Sequence, residues 1–139
     1  MSVHVRVQAE PLDLGSLLAF VQAPSLGGVA VFLGTVRDHH AGRAVVRLEY
    51  EAYPEMAEAE LRKIAEEARA RFGVARVAVV HRTGRLQIGE ASVAVVVASE
   101  HRREALEACR FVIDTLKRVA PIWKREVYAD GAAWVEGEA

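Results

Sequence analysis

The clearest chemical feature of the sequence is a pair of lysines, Lys117 and Lys124, within the stretch LKRVAPIWKRE. The chain has 18 lysines and arginines in total, and lysine otherwise occurs only at Lys63. Arginine stays protonated at every pH a protein meets, whereas a buried or crowded lysine can lose its proton and act as base or nucleophile. The pair therefore indicates amine chemistry, with a solvated basic tail on a helix as the alternative.

A second candidate group stands at the expected start of the last long helix. Ser99 is predicted to cap this helix, and Glu100, His101, Arg102 and Arg103 follow it. Cations in a first turn oppose the helix macrodipole, at roughly 0.3–1 kcal/mol each. Backbone N–H groups with histidine and arginine beside them nevertheless make a good phosphate site. A merely solvated turn is the alternative.

Arg37 is a third candidate, because it follows the apolar segment VAVFLGTV in the loop GTVRDHHAGR, and loops on rigid scaffolds often carry function. Arg102 and Lys117 lie fifteen residues apart on one predicted helix, which separates them by about 22 Å along its axis. A small phosphorylated metabolite cannot touch both. They therefore serve different sites, or one site is shared across a two-fold dimer, the commonest oligomer symmetry. We favour the shared site.

Composition limits the classes of function. With 139 residues, 52% of them hydrophobic and 27% charged, the chain is expected to form one soluble domain over residues 1–139. A formal net charge of −1 argues against a broad electrostatic contact with nucleic acid. No apolar run is long enough to span a bilayer, and MSVHVRVQAE lacks the pattern of a signal peptide. We therefore expect no nucleic-acid or membrane partner.

The single cysteine, Cys109, cannot form an internal disulfide, which predicts a cytoplasmic location. It falls in register with Leu106, Ile113 and Leu116, so we interpret it as a core residue and not as a reactive thiol. The five histidines show no metal-ligand spacing beside cysteines. We expect neither a metal nor a cofactor.

Hydrophobic periodicity predicts the first elements that must position these residues. A short helix is expected over DLGSLLAFVQA, and Pro54 begins a long helix that Gly73 ends. The apolar stripe of that helix is predicted to be Leu61, Ile64, Ala65, Ala68 and Phe72. Strands are predicted over VHVRVQ and over AVVRLEYEAY, where Val46, Leu48 and Tyr50 alternate with polar residues on a solvent-facing side. Buried strands are predicted over GGVAVFLGTV, VARVAVVHR and ASVAVVVAS, the last two joined by TGRLQIGE.

A second long helix is expected from about His101 to Val119, because Pro121 disfavours helical angles in the residue before it. The stretches IWKREVYA and AAWVEG flank the Asp130–Gly131 turn and predict a final hairpin. Helices inserted among hairpin-connected strands predict an α+β fold with a mostly antiparallel sheet and two long helices. The inward side chains of the second long helix are predicted to be Leu106, Cys109, Val112, Ile113 and Leu116.

Three segments carry a resemblance to a known family: FLGTVRDHHAGRAVVRLEYEAYPEMAEAEL, VVHRTGRLQIGEASVAVVVASEHRREALEACRFVIDTLK and APIWKRE. Together they resemble the large, catalytic subunit of molybdopterin synthase, from about Gly27 to Trp134. The resemblance implies a single domain of the α/β-hammerhead type. It also implies a sulfurtransferase of molybdenum cofactor biosynthesis, which converts cyclic pyranopterin monophosphate (precursor Z) into molybdopterin by adding two sulfurs.

The resemblance implies two kinds of protein partner. Sulfur would arrive as a thiocarboxylate on the C-terminal Gly-Gly of a small ubiquitin-like sulfur carrier subunit. Two copies of the large subunit would pair as a central homodimer, with one carrier on each outer side, to give a heterotetramer. The carrier tail would enter a pocket near Phe32, although a core position is the alternative for that side chain.

The resemblance also implies the site residues, position by position. Lys117 and Lys124 match the two active-site lysines of the family, with Lys117 the better candidate for direct catalysis. The remaining positions match substrate contacts in the family. The implied substrate-binding set is Thr35, Val36, Arg37, His101, Arg102, Lys117, Lys124, Arg125 and Glu126.

Two other classes of function stay open at this point. One is a non-catalytic module that docks a partner through apolar surface near Phe32 and Trp123. The other is an unrelated lysine enzyme that forms a Schiff base with a carbonyl substrate. Carrier binding without sulfur transfer would favour the first, and borohydride trapping of a carbonyl substrate would favour the second.

Overall fold

The computed structural model of the chain describes the backbone of residues 2–135 and the side chains of residues 2–131. These residues form three helices: α1 (Leu14–Val21), α2 (Pro54–Phe72) and α3 (Arg102–Val119). They also form nine strands: β1 (Val3–Gln8), β2 (Gly28–Thr35), β3 (His39–His40), β4 (Arg43–Ala52), β5 (Arg76–Arg82), β6 (Gly84–Gln87), β7 (Ala91–Ser99), β8 (Ile122–Tyr128) and β9 (Gly131–Val135).

The strands make two sheets, one of which carries the helices. In this first sheet the strand order is β1-β5-β7-β2, with β1 parallel to β5 and the other neighbours antiparallel. The second sheet has the order β3-β4-β8-β9, with β6 paired to β4, and its described pairings are antiparallel. The expected α+β class with mostly antiparallel strands is confirmed.

Both faces of the first sheet are covered by helices. Helices α2 and α3 pack on one face, where Leu61 and Leu116 join Val77 and Val79 of β5 in the main core. Helix α1 covers the other face through Leu17 and Val21. Because β5 and β7 are covered on both sides, they are almost continuously apolar, as a strand between two helical layers must be.

Local signals in the sequence set the helix ends. Pro54 occupies the first turn of α2, and Gly73 ends the helix in the left-handed conformation with φ 69°. Helix α3 ends at Val119, since Ala120 is extended before Pro121. Each of these bounds matches the expectation from sequence.

Helix α3 begins within one residue of the expected start, but its predicted N-cap, Ser99, and its predicted core residue Leu106 are wrong. The N-cap is His101, whereas Ser99 is the last residue of β7 and pairs with Gly28. Leu106 is 59% exposed, and Ala105 and Ala108 face the core instead. Periodicity defines a stripe of positions, and at its edge a long side chain can face solvent while a small one fits between helix and sheet.

Three strand predictions also need correction. Strand β2 is buried on one face only, because it is an edge strand whose other face leaves Val29, Val31 and Leu33 exposed. A bulge between Val45 and Arg47 shifts the alternation in β4, so Val46 is exposed. The segment TGRLQIGE contains β6 and is not only a loop. The predicted final hairpin is present as β8 and β9, and its last two residues, 136–137, lie outside the described residues.

Candidate active site

Lys117 lies in the last turn of α3, where the helix meets the end of the first sheet. Its side chain is half-buried beside Leu116, which is in the main core. The extended residues around Pro121 then lead the chain directly into β8, which carries Lys124. Lys124 is only 6% exposed, so the solvated-tail alternative for this stretch is wrong for Lys124.

Strand alternation sorts the KRE segment of β8 onto two faces. Lys124 and Glu126 point to the buried face, where Tyr50 of β4 is opposite Lys124 in the register. Arg125 points to the other face, and its Nη1 donates to Glu49 Oε1 at 3.1 Å. The structure therefore groups Lys124 with Glu126 and directs Arg125 elsewhere.

Glu49 is the main anion on that other face of the second sheet. Arg47 Nε donates to Glu49 Oε2 at 2.9 Å, and Arg85 Nε lies 3.7 Å from the same oxygen. Hydrogen bonds from Arg47 and Arg125 lower the pKa of the Glu49 carboxyl. Arg125 thus belongs to a surface ion-pair network that ties β8, β4 and β6 together.

A buried aromatic pair joins the end of α3 to the buried face of β8. The rings of His81 and Tyr50 meet edge to face, with centroids 4.9 Å apart. Burial is the main cause that lowers the pKa of His81 to about 4, and the positive charge of Lys117 lowers it further. Burial likewise raises the pKa of Tyr50, against a hydrogen bond between its hydroxyl and Ser92. At neutral pH both rings are therefore uncharged.

Arg37 approaches the same region from the loop after β2. Its Nη2 lies 3.4 Å from Nδ1 of His40, and that ring nitrogen lies 3.7 Å from Glu126 Oε1. Val36, immediately before Arg37, is buried, and its backbone N–H donates to the Glu90 carbonyl oxygen at 2.9 Å. Thr35 is exposed at the end of β2. The buried Val36 fixes the loop, so Arg37 is held near Glu126.

Glu126 is the anion at the centre of this cluster. It is 3% exposed, and its Oε1 has no hydrogen-bond partner among the described residues. A buried carboxylate oxygen without a hydrogen bond is costly unless something satisfies it. Such an oxygen can accept a hydrogen bond from a bound substrate.

His101 and Arg102 lie far from this cluster within one chain. Both are exposed at the start of α3, about 22 Å from Lys117 along the helix axis. Helix and strand come very close there, since a Cβ on Gly28 would lie 2.9 Å from the His101 carbonyl carbon. A hollow of about 290 Å³ opens beside this contact, lined in part by Gly27, Arg102 and Leu106. The structure therefore gives one chain two separate candidate regions.

Other candidate chemistries gain no support from the described residues. Cys109 packs in the core, where burial raises the pKa of its thiol to about 11, and its Sγ donates to the Val95 carbonyl oxygen at 3.7 Å. The core interpretation is confirmed. Within residues 2–135, no three His, Cys, Asp or Glu side chains are grouped as metal ligands would be. No helix in the same range is long and apolar enough to cross a membrane.

Comparison with known proteins decides the family. The family model described as MoaE protein matches residues 7–119. A Pyrococcus abyssi protein named molybdopterin synthase catalytic subunit is 45% identical over 129 residues, covering 93% of this chain and 87% of the relative. The chain belongs to the MoaE family.

Further relatives agree with this assignment. The human molybdopterin synthase catalytic subunit is 42% identical over 130 residues, covering 94% of this chain and 69% of the human protein. A crystal structure of molybdopterin synthase from Staphylococcus aureus superposes with a TM-score of 0.90 at 36% identity, covering 94% of this chain and 95% of that one. A complex of subunits 1 and 2 of the molybdopterin-converting factor from Helicobacter pylori gives 0.73 at 26% identity, covering 96% and 89%.

The structure adds residues to the site of this MoaE protein that the sequence did not single out. These residues are His81 of β5, Ser92 of β7, Tyr50 of β4 and His40 of β3. They are brought together by strand pairing within each sheet and by the contact between the two sheets. One signal was available: a histidine inside the apolar run VARVAVVHR is out of place unless it has a polar partner.

Proposed function

We propose that this chain is the catalytic subunit of a molybdopterin synthase and makes molybdopterin from cyclic pyranopterin monophosphate. The main support for this proposal is the 45% identity, over 93% of the chain, to a relative named molybdopterin synthase catalytic subunit. The buried Lys124 and Glu126, with Arg37 nearby, support it. Lys117 also supports it, because its charge acts on His81, which contacts Tyr50. Sulfur would come from the C-terminal Gly-Gly thiocarboxylate of a small ubiquitin-like carrier subunit.

In each half-reaction, the thiocarboxylate sulfur bonds to a carbon of the pterin side chain. Water then cleaves the bond between that sulfur and the carrier's carbonyl carbon, and the carrier leaves as a carboxylate. A second charged carrier supplies the second sulfur. One new C–S bond replaces the bond between a side-chain carbon and the cyclic phosphate, which opens to a monoester. The other replaces the bond from the neighbouring carbon to its carbonyl oxygen, which leaves as water. Lys117 transfers protons or contacts the carrier's terminal carbonyl, while Lys124 polarises substrate and stabilises developing oxyanions.

The substrate phosphate is assigned to His101 and Arg102, which requires a second copy of the chain. Arg102 and Lys117 are too far apart on one α3 for a small metabolite to touch both. Exposed apolar side chains adjoin the anion region, namely Leu106 of α3 and Val29 of β2. A homodimer that covers this surface would set one copy's helix start near its partner's lysines. One carrier on each copy would complete a heterotetramer. The Helicobacter pylori structure, a complex of subunits 1 and 2 of the molybdopterin-converting factor, supports a partnership between two kinds of subunit.

The remaining proposed contacts follow from position. Thr35, Val36 and Arg37 form the loop that would contact the substrate, and Glu126 would accept a hydrogen bond from it. Arg125 would act from outside the cluster, by fixing β8 through Glu49. We place this single domain, residues 1–139, in the cytoplasm, on the basis of its one buried, reduced cysteine.

The deciding experiment mixes the purified chain with thiocarboxylated carrier and precursor Z and measures molybdopterin. Lys117→Ala should lower the rate about a hundredfold or more, and Lys117→Arg should fail as well, because guanidinium cannot give up a proton. Lys63→Ala is the matched control, since Lys63 lies on exposed α2 surface. Carrier binding without turnover by the unaltered chain would favour a binding module, and full activity of Lys117→Ala would refute the lysine assignment.

A further inference from the structure

His81 is a buried polar side chain for which the proposed reaction supplies no role. It is 2% exposed and belongs to β5, where it follows Val77 and Val79 on the face that α2 and α3 cover. Ile113 and Leu116 of α3 share the core cluster of those valines. His81 therefore sits at the end of this face, where the last turn of α3 presents Lys117.

The hydrogen bond of His81 fixes which ring nitrogen carries the proton. Nδ1 lies 2.8 Å from the Arg82 carbonyl oxygen, and a carbonyl oxygen can only accept. The ring is neutral above about pH 4, because burial lowers its pKa from 6.5 to about 4. A neutral imidazole has one N–H, so Nε2 has an available lone pair.

The orientation of the His81 ring is also fixed. Tyr50 meets it edge to face at 4.9 Å, and Tyr50 is itself buried and bonded to Ser92. Ser92 Oγ donates to the Gly34 carbonyl oxygen at 3.3 Å, which ties this group to β2. The hydrogen bond at Nδ1 and the contact with Tyr50 hold the His81 ring in one orientation, so Nε2 points in one direction. A positioning residue requires such a fixed direction.

We propose that His81 is a positioning residue that accepts a hydrogen bond from the Lys117 amine at Nε2 and aims this amine at the reacting atoms. The catalytic part of this inference rests on the proposed function, whereas the hydrogen bond itself does not. A neutral acceptor such as Nε2 of His81 can orient the Lys117 amine without stabilising its charged form, so the amine can still exchange protons. A carboxylate in the same place would stabilise the charged ammonium and oppose proton loss.

The first test measures the hydrogen bond without any substrate. In protein labelled with ¹⁵N-histidine, NMR should show His81 as the neutral, Nδ1-protonated tautomer from pH 5.5 to 8. Lys117→Ala should shift the Nε2 resonance of His81, and Lys63→Ala should leave it unchanged. The proposal would be overturned if the His81 ring is protonated at Nε2, or if its Nε2 chemical shift is unchanged in Lys117→Ala. Either result would decide this even if the chain makes molybdopterin.

The second test measures the consequence for catalysis. His81→Gln keeps an acceptor and should retain activity within about threefold, whereas His81→Leu should lower kcat about tenfold or more with little change in KM. His4→Gln is the matched control, because His4 packs against Phe20 on the α1 side of the sheet. Equal kcat values for folded His81→Leu and the unaltered chain would overturn the positioning role.

The two tests separate the possible failures. If the unaltered chain makes no molybdopterin, the proposed function fails, and the NMR result still decides the hydrogen bond. If His81→Leu does not fold, the tautomer and the response to Lys117→Ala are measured on proteins with an intact core. A shifted Nε2 resonance with reduced kcat only in His81→Leu is the outcome that supports the whole inference.

Discussion

Acid should destabilise this protein through His81 before most carboxylates titrate. The folded chain holds the pKa of His81 at about 4, whereas the unfolded chain restores the ordinary value of 6.5. Between these values the unfolded state binds more protons, so stability increases with pH. The contribution of His81 is therefore complete above pH 6.5 and is progressively lost as the pH falls toward 4.

The size of the loss follows from the difference between the two pKa values. One pKa unit corresponds to about 1.4 kcal/mol, so protonation linkage at His81 should cost about 2 kcal/mol at pH 5 and about 3 kcal/mol at pH 4. A domain of this size is typically stable by about 5–15 kcal/mol, so the loss is a large fraction of the total. The positive charge of Lys117 accounts for part of this loss, since it also disfavours the imidazolium.

Urea unfolding followed by circular dichroism at pH 7.5, 6 and 5 would measure this loss. The comparison is between the unaltered chain and His81→Gln, which cannot titrate in this range. His81→Gln should be less stable at pH 7.5, and its free energy of unfolding should fall about 2 kcal/mol less between pH 7.5 and 5. His4→Gln serves as control for the loss of a histidine at the α1 side of the sheet.

Carboxylates elsewhere titrate equally in all three proteins, so the difference between them isolates His81. If His81→Gln follows the same pH dependence as the unaltered chain, the imidazole is not desolvated as the structure requires. The same outcome would remove the neutral lone pair on which the positioning of Lys117 depends.

Two further predictions concern the proposed phosphate site and the buried cysteine. Arg102→Ala should raise the KM for precursor Z and leave kcat nearly unchanged, because Arg102 is assigned to the phosphate and not to the reacting atoms. Steady-state kinetics at varied precursor Z concentration would measure both constants. An unchanged KM would contradict the anion site. Cys109 should react with a thiol reagent at pH 8 far more slowly than free cysteine until urea unfolds the chain, since its thiol is buried and its pKa is raised to about 11.

The sequence predicted the helices well because their ends are set locally. Pro54, Gly73 and Pro121 act through the backbone angles of the residues beside them, and no distant contact is needed to interpret them. The failure at Ser99 has a non-local cause. The close approach of Gly28 to the start of α3 decides where β7 ends and the helix begins.

The candidate site was only partly predictable for the same reason. Alternation in a strand places Lys124 and Glu126 on one face, and it could have shown from sequence that Arg125 lies on the other. The grouping of His81 with Tyr50 depends on how two sheets meet. No spacing along the chain reports that contact, because the two residues belong to strands of different sheets.

The charges of the cluster explain why lysine and a neutral imidazole occur together there. In the proposed function, Arg37 and Lys124 would attract an anionic carrier tail or phosphorylated pterin, and arginine alone would serve that purpose. Sulfur transfer also needs a group that can release and regain a proton. A lysine held by a carboxylate would stay charged, whereas a lysine directed by the uncharged ring of His81 keeps its orientation and can still lose a proton. In the proposed mechanism, the buried and uncharged His81 is what would allow one amine at the end of α3 to be both fixed in place and chemically active.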